Sequence, residues 1–239
     1  MIVLVISDVH GNYHALDRVM NAVKYDTMVC CGDIVVDYPF PQQCIQVLKD
    51  SCIHICSGNN DDNVAHDQKA SEYISKKYTH LAKDLDRNTE LTLKLINDDS
   101  KNYLRELPRE CRFDLDGVSF YMNHTVPHRP LHHYLDKETP DSKLAQYYRD
   151  IRAEVMITGH THIPYARSFG DKILINPGSV GQPRDGDPRT SFAVFDTAAG
   201  RVELKRLAYD ITETSRYLKK LNFPAYSLYC LKNGFLPDR

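Results

Sequence analysis

Ile2-Val3-Leu4-Val5-Ile6-Ser7-Asp8-Val9-His10-Gly11-Asn12 is the stretch that decides the fold class. Residues 2–6 are apolar without alternation, which predicts a strand covered on both faces rather than one with a wet side. Asp8 and His10 then follow directly at the strand's carboxyl end. An apolar start with no basic leader reads as a first core strand, not a signal peptide.

Strand and helix signals alternate outward from there. Leu16, Val19, Met20 and Val23 recur at helical spacing, and 27–31 predicts a second strand. A short helix carrying Ile45, Val47 and Leu48 begins near Pro41, and 53–56 predicts a third strand. This β-α-β-α-β order predicts an α/β protein with a largely parallel sheet. Residues 63–107 are polar and carry helical patterns (Tyr73, Ile74, Lys77, Tyr78, Leu81) without strand signals. They predict a helical insert within one domain spanning 1–239, because so short and polar a segment holds no large core of its own. Strands resume at 112–115 and 118–122 around the turn pair Asp116-Gly117. Further strands are predicted at 155–158, 165–168, 172–175, 191–196 and 202–207. A helix at 213–221 ends the fold, followed by a short tail.

The formal net charge of −2 over 239 residues disfavours long nucleic acid and membrane surfaces as partners. No apolar run reaches the roughly 18 residues of a membrane span. The seven cysteines are scattered and form no C-x-x-C pair, so reduced thiols in a cytoplasmic protein are expected. Nothing in the composition predicts an oligomeric state.

Polar residues collect after the strands. Asp8 and His10 follow the first, Gly32 and Asp33 the second, and Gly58, Asn59, Asn60 and Asp61 the third. His124 follows 118–122, and Gly159, His160 and His162 follow 155–158. Singly, each is what a turn or helix cap also produces. Together they bring carboxylates and imidazoles to one rim, where sites lie in open α/β sheets, at a cost that a cation would relieve.

Asp8-x-His10, Gly32-Asp33, Gly58-Asn59-x-Asp61, His124 and Gly159-His160-Thr161-His162 resemble the calcineurin-like metallophosphoesterase family. The first loop, Ser7 to Asn12, and the run from Asn176 to Arg184 are similar to its small bacterial and archaeal branch of phosphodiesterases, diadenosine-polyphosphate hydrolases and protein-phosphatase-like enzymes. The resemblance implies a four-layer α/β/β/α sandwich, two mixed sheets with helices outside. It implies that Asp8, His10 and His162 hold one divalent metal, that Asn59, His124 and His160 hold a second, and that Asp33 bridges them. Mn, Fe, Co, Ni or Zn suits such ligands. The implied reaction is hydrolysis of a small phosphorylated substrate, a phosphodiester or nucleotide, by metal-activated hydroxide, with Asp33, Asn59, Asp61 and His124 as catalytic residues. Alternatives are a phosphomonoesterase or Ser/Thr protein phosphatase, and a scaffold of the same fold.

Asn60 departs from the family pattern, which has His or Cys there. An amide cannot donate a proton as an acid. Three readings stand: a good leaving group, another donor such as His128 or His66, or slow catalysis. Thr125 also departs, replacing a Gly. Asn60 and Arg184 are expected to touch substrate, the latter as a phosphate clamp. Arg184 and Arg189 have an equal claim to pairing with Asp185 and Asp187. His128, His132 and His133 are expected at the surface, with the alternative that one of them faces the substrate.

Overall fold

Two five-stranded sheets face each other in the computed structural model, which describes residues 1–72, 74 and 76–237, with only the backbone of Lys76 and Lys77. The first is built on β1 (Ile2–Ile6), with β2 (Thr27–Cys30) and β3 (His54–Ile55) parallel to it. On the other side of β1, β9 (Thr190–Asp196) and β10 (Arg201–Leu207) run antiparallel to their neighbours. The second sheet has the order β4 (Glu110–Leu115), β5 (Val118–Asn123), β6 (Val155–Ile157), β8 (Lys172–Asn176), β7 (Tyr165–Phe169), and it too mixes parallel and antiparallel pairs.

The unbroken apolar run of β1 is explained by its two buried faces. Val3 and Val5 point inward with Val29, Cys31 and Cys56 against Phe120, Met122, Ile157 and Ile175 of the second sheet. Leu4 and Ile6 point outward and pack on Leu16, Val19, Ile45, Leu48 and Leu104. Those belong to α1 (Tyr13–Met20), α2 (Pro41–Ser51) and α5 (Asp98–Glu106). The outer face of the second sheet, Tyr121, Met156 and Leu174, is covered by Leu144 of α6 (Asp141–Tyr147) and by Tyr148. The fold is therefore a four-layer α/β/β/α sandwich, as strand alternation across two covered sheets requires.

Three of the predicted strands, 27–31, 53–56 and 155–158, end one residue early where the chain leaves for the rim, whereas 118–122 runs one residue further, to Asn123. Cys31, Cys56 and Thr158 are held by single backbone bonds rather than ladders. The predicted insert holds two 3-10 segments, Ala70–Glu72 and Lys76–Leu81, then α4 (Ala82–Leu95) and α5. It is preceded by α3 (Asn59–Ala65), which starts inside the Gly58-Asn59 motif. Tyr73 lies outside the described residues.

The tail is a correction. After α7 (Thr212–Lys220), residues expected as a short tail form α8 (Ala225–Asn233), closed by Gly234 in the left-handed conformation. Its Tyr226 and Cys230 pack on Leu81, Leu85 and Leu236. The helix was illegible because its outward residues are as apolar as its inward ones, which erases the helical period. All seven cysteines are free thiols. No described helix is long and apolar enough to cross a membrane.

Candidate metal centre

The loops leaving β1, β2, β3, β5 and β6 meet at one end of the sandwich. Asp8, His10, Asp33, His160 and His162 all have positive φ, between 53° and 66°. L residues adopt this region rarely, and its recurrence at one site is strain held by the surrounding fold. Two glycines allow the loops to close. A Cβ at Gly58 would lie 2.1 Å from Asp33 Oδ1, and one at Gly159 2.1 Å from Ser7 Oγ and 2.8 Å from Asp8 Oδ2.

Two groups of side chains result. Asp8, His10, Asp33 and His162 bring one ligand atom each to within 4.8 Å of one another, and Asp33, His124 and His160 do likewise. Asp33 belongs to both. His10 Nε2 and His162 Nε2 are 3.1 Å apart, and His162 Nε2 lies 3.2 Å from Asp8 Oδ1. His124 Nε2 is 3.4 Å from Asp33 Oδ2. Carbonyls set the tautomers: His124 Nδ1 donates to Cys31 O at 2.6 Å and His162 Nδ1 to Gln182 O at 2.5 Å, which turns each Nε2 toward the cluster. Asn59 Oδ1 and His160 Nε2 are buried without a hydrogen-bond partner. Buried polar atoms are normally paired, so this donor set fits a divalent cation.

Charge follows geometry. Burial works against a charged His124, but Asp33 and then Asp8 outweigh it and push its pKa up to about 10. Burial likewise opposes a charged His10, yet Asp37 and Asp8 push it up to about 9. Asp33 resists the upward push of burial and sits below its ordinary range, because His124 and His10 flank it. Burial, then the neighbouring imidazolium and the Arg184 guanidinium, hold His160 and His162 well below the usual imidazole value.

The other expected site residues fall in distinct places. Asn60 donates through its backbone N to Asp33 Oδ1 at 2.8 Å and through Nδ2 to Asp33 Oδ2 at 2.7 Å, so it fixes that carboxylate. Asp61 turns away from the cavity. Its Oδ1 accepts from Ile34 N at 2.9 Å and Val35 N at 3.3 Å, and its Oδ2 accepts from Gly58 N at 3.0 Å. It therefore staples the Asp33 loop to the start of α3. Burial and then the Asp33 charge raise its carboxyl to about 7. Arg184 lines the cavity and binds Gln182 Oε1 at 2.7 Å, whereas Arg189 pairs with Asp187 at 2.6 Å and Asp185 with Arg206. His66 and His128 do not line the cavity, but the exposed His132 and His133 do.

Sequence reasoning missed Asp37. Its carboxylate lies 3.2 Å from His10 Nδ1 and accepts from Asn88 Nδ2 at 2.7 Å, Gln182 Nε2 at 3.0 Å and Tyr226 Oη at 3.1 Å. The chain reaches that position through Val36 (φ 78°) and Asp37 (φ 70°), an outlying conformation for a β-branched residue. The one available signal was an acid directly after the apolar run from Ile34 to Val36, before Tyr38.

The comparisons with known proteins agree with this geometry. A family model described as Calcineurin-like phosphoesterase superfamily domain matches residues 1–200. The chain belongs to the calcineurin-like phosphoesterase superfamily. Like others of this superfamily, it is a metal-dependent phosphoric ester hydrolase. It is 30% identical to an uncharacterised protein from Methanocaldococcus jannaschii, over 94% of each chain. A 43-residue stretch, 18% of this chain and 23% of the relative, is 42% identical to Phosphodiesterase YfcE of Escherichia coli K12. Among solved structures, a metallophosphoesterase from Sphaerobacter thermophilus superposes with a TM-score of 0.80 at 26% identity, covering 98% of this chain and 99% of that one.

Proposed function

We propose that this hydrolase is a dinuclear phosphodiesterase acting on small phosphorylated substrates. Asp8, His10 and His162 hold one divalent ion, Asn59, His124 and His160 the other, and Asp33 bridges them. The observation that carries this reading is the pair of converging side-chain groups sharing one carboxylate. Two ions held there would bring the pKa of a water toward neutrality and offset charge developing on the phosphoryl oxygens.

This chain's own residues do the rest. Asn60 keeps both Asp33 oxygens oriented. Arg184 presents a guanidinium beside His160 and His162, where a phosphoryl oxygen can accept from it. Asn60 supplies no acid for the leaving group, which favours esters whose leaving group needs no proton. The similarity to an E. coli phosphodiesterase supports the diester over the monoester reading.

The test is Asp33→Ala, read by metal content and by p-nitrophenol release from bis(p-nitrophenyl) phosphate beside p-nitrophenyl phosphate. We expect loss of metal, loss of activity, and a wild type that prefers the diester. Full metal content and full activity in the variant would sink the dinuclear proposal.

A further inference from the structure

Resting on that phosphodiesterase reading, we propose that the cavity selects a diester bearing one negative charge and a bulky aromatic or alkyl substituent, and rejects polyphosphates. The cavity beside the metal centre holds about 810 Å³, far more than a phosphate needs. Its lining divides by element. Asp33, Asn59, Asn60, His160 and His162 come from the strand-end loops. Tyr78, Leu81, Leu85, Tyr226 and Leu236 come from the insert and the C-terminal segment. Those five make up nearly all of one small hydrophobic cluster, completed by Cys230. The cluster thus turns a face to the cavity instead of closing on itself, and such a wall is recognised by an apolar ligand surface. Tyr134 also lines the cavity, 41% exposed, its ring centroid 4.3 Å from that of His160.

Charge decides between substrates that could offer such a surface. Among the described residues the lining contains two arginines and no lysine. Arg109 lies 3.3 Å from Asp62, which also lines the cavity, and Glu72 adds a further acid. Arg184 makes its hydrogen bonds to the neutral Gln182 amide and, among the described residues, forms no ion pair, the Asp37 carboxylate acting on it only from a longer range. One unpaired guanidinium matches one phosphodiester anion. Beyond the metal centre, a polyphosphate chain would bring several more charges toward a wall whose other arginine is already paired with Asp62 and where Glu72 repels them. Hydrolysis adds one water across a P–O bond of the diester, releasing an alcohol or phenol and a phosphomonoester.

Competitors read by their inhibition of a reporter diester, not by their own turnover, separate binding from reactivity. Inhibition of bis(p-nitrophenyl) phosphate hydrolysis by diphenyl phosphate, dimethyl phosphate and diadenosine tetraphosphate is measured in excess Mn²⁺. We expect diphenyl phosphate to bind about tenfold or more tighter than dimethyl phosphate, within the range hydrophobic pockets discriminate. Diadenosine tetraphosphate, aromatic but polyanionic, should compete no better than dimethyl phosphate. Leu85→Ser should remove most of the diphenyl advantage and leave dimethyl phosphate unchanged, which also shows that the variant is folded; Leu236→Ser repeats the test from the other segment. Equal inhibition by the two simple diesters, or strongest inhibition by the tetraphosphate, overturns the proposal while the phosphodiesterase reading stands. If the metal-loaded protein cleaves no diester, or cleaves p-nitrophenyl phosphate faster, that underlying reading fails and takes the proposal with it.

Discussion

Asp37 illustrates how one side chain can line the cavity and govern the centre from behind the His10 ring. It aims the His10 ring and joins it to Asn88, Gln182 and Tyr226. Carboxylates behind ligand imidazoles typically contribute about 10–100-fold in metal affinity. Asp37→Asn, which keeps the shape and removes the charge, is expected to weaken Mn²⁺ binding by that order, as read by competition with a chelating dye. Unaltered affinity would show that His10 needs no such support. Asn60 invites the opposite experiment. Asn60→His places an acid beside the Asp33 carboxylate and should flatten the dependence of rate on leaving-group pKa across a series of aryl diesters. An unchanged slope would place the proton donor elsewhere. Asp61 belongs to the loops: Asp61→Asn turns an N–H toward Gly58 N or toward Ile34 and Val35. A loss of about 1–3 kcal/mol in urea denaturation is expected, the usual cost of unsatisfied buried donors.

At the scale of elements, α8 and the insert act as one unit against the centre. Tyr226 reaches Asp37 from α8, and Asn88 reaches it from α4 while also donating through Nδ2 to Ser227 Oγ of α8 at 3.0 Å. Removing the hydroxyl in Tyr226→Phe leaves Asp37 one donor short. We expect a loss of about 0.5–1.5 kcal/mol of stability, together with weaker metal binding, the second readout being one that loss of packing alone would not produce. Of the insert and α8, the insert was the more legible in the sequence. Its polarity and helical spacing stand out between strand signals, whereas α8 has no apolar stripe to betray it. Neither pattern could say that both would wall the cavity, because a surface helix is amphipathic whether its apolar side meets a core or a ligand.

At the scale of the whole molecule, the buried charges predict a pH dependence with a definite sign. In the metal-free protein His10 titrates at about 9 and His124 at about 10, both above the ordinary 6.5. The folded state therefore holds protons that the unfolded chain has lost between those limits. Their stabilisation is complete below pH 6.5 and disappears as the pH rises through about 9 to 10. Asp33 works in reverse: its depressed pKa stabilises the fold above the usual carboxylate range and is lost on acidification. Metal needs neutral imidazoles, so loading must expel protons and tighten as the pH rises. Calorimetry at pH 7 in buffers of different ionisation enthalpy should register proton release on Mn²⁺ binding. Buffer-independent heats would mean that His10 and His124 are already neutral.

The residue pattern by itself determined a first sheet covered on both faces and the rim, while the two mixed sheets in four layers followed from the family resemblance. An apolar run without alternation demands two covered faces, and Asp8, His10, Asp33, Asn59, His124, His160 and His162 each stand where a strand runs out, a local relation that spacing records. Only the tertiary structure decided what those side chains do to one another. Asp33 shared between two groups, Asp61 turned into the loops, Asp37 behind His10 and Tyr226 arriving from the far end of the chain are contacts across long sequence separations. Their physical basis is distance and desolvation in the folded chain, which no residue carries until the loops, the insert and α8 have closed around it.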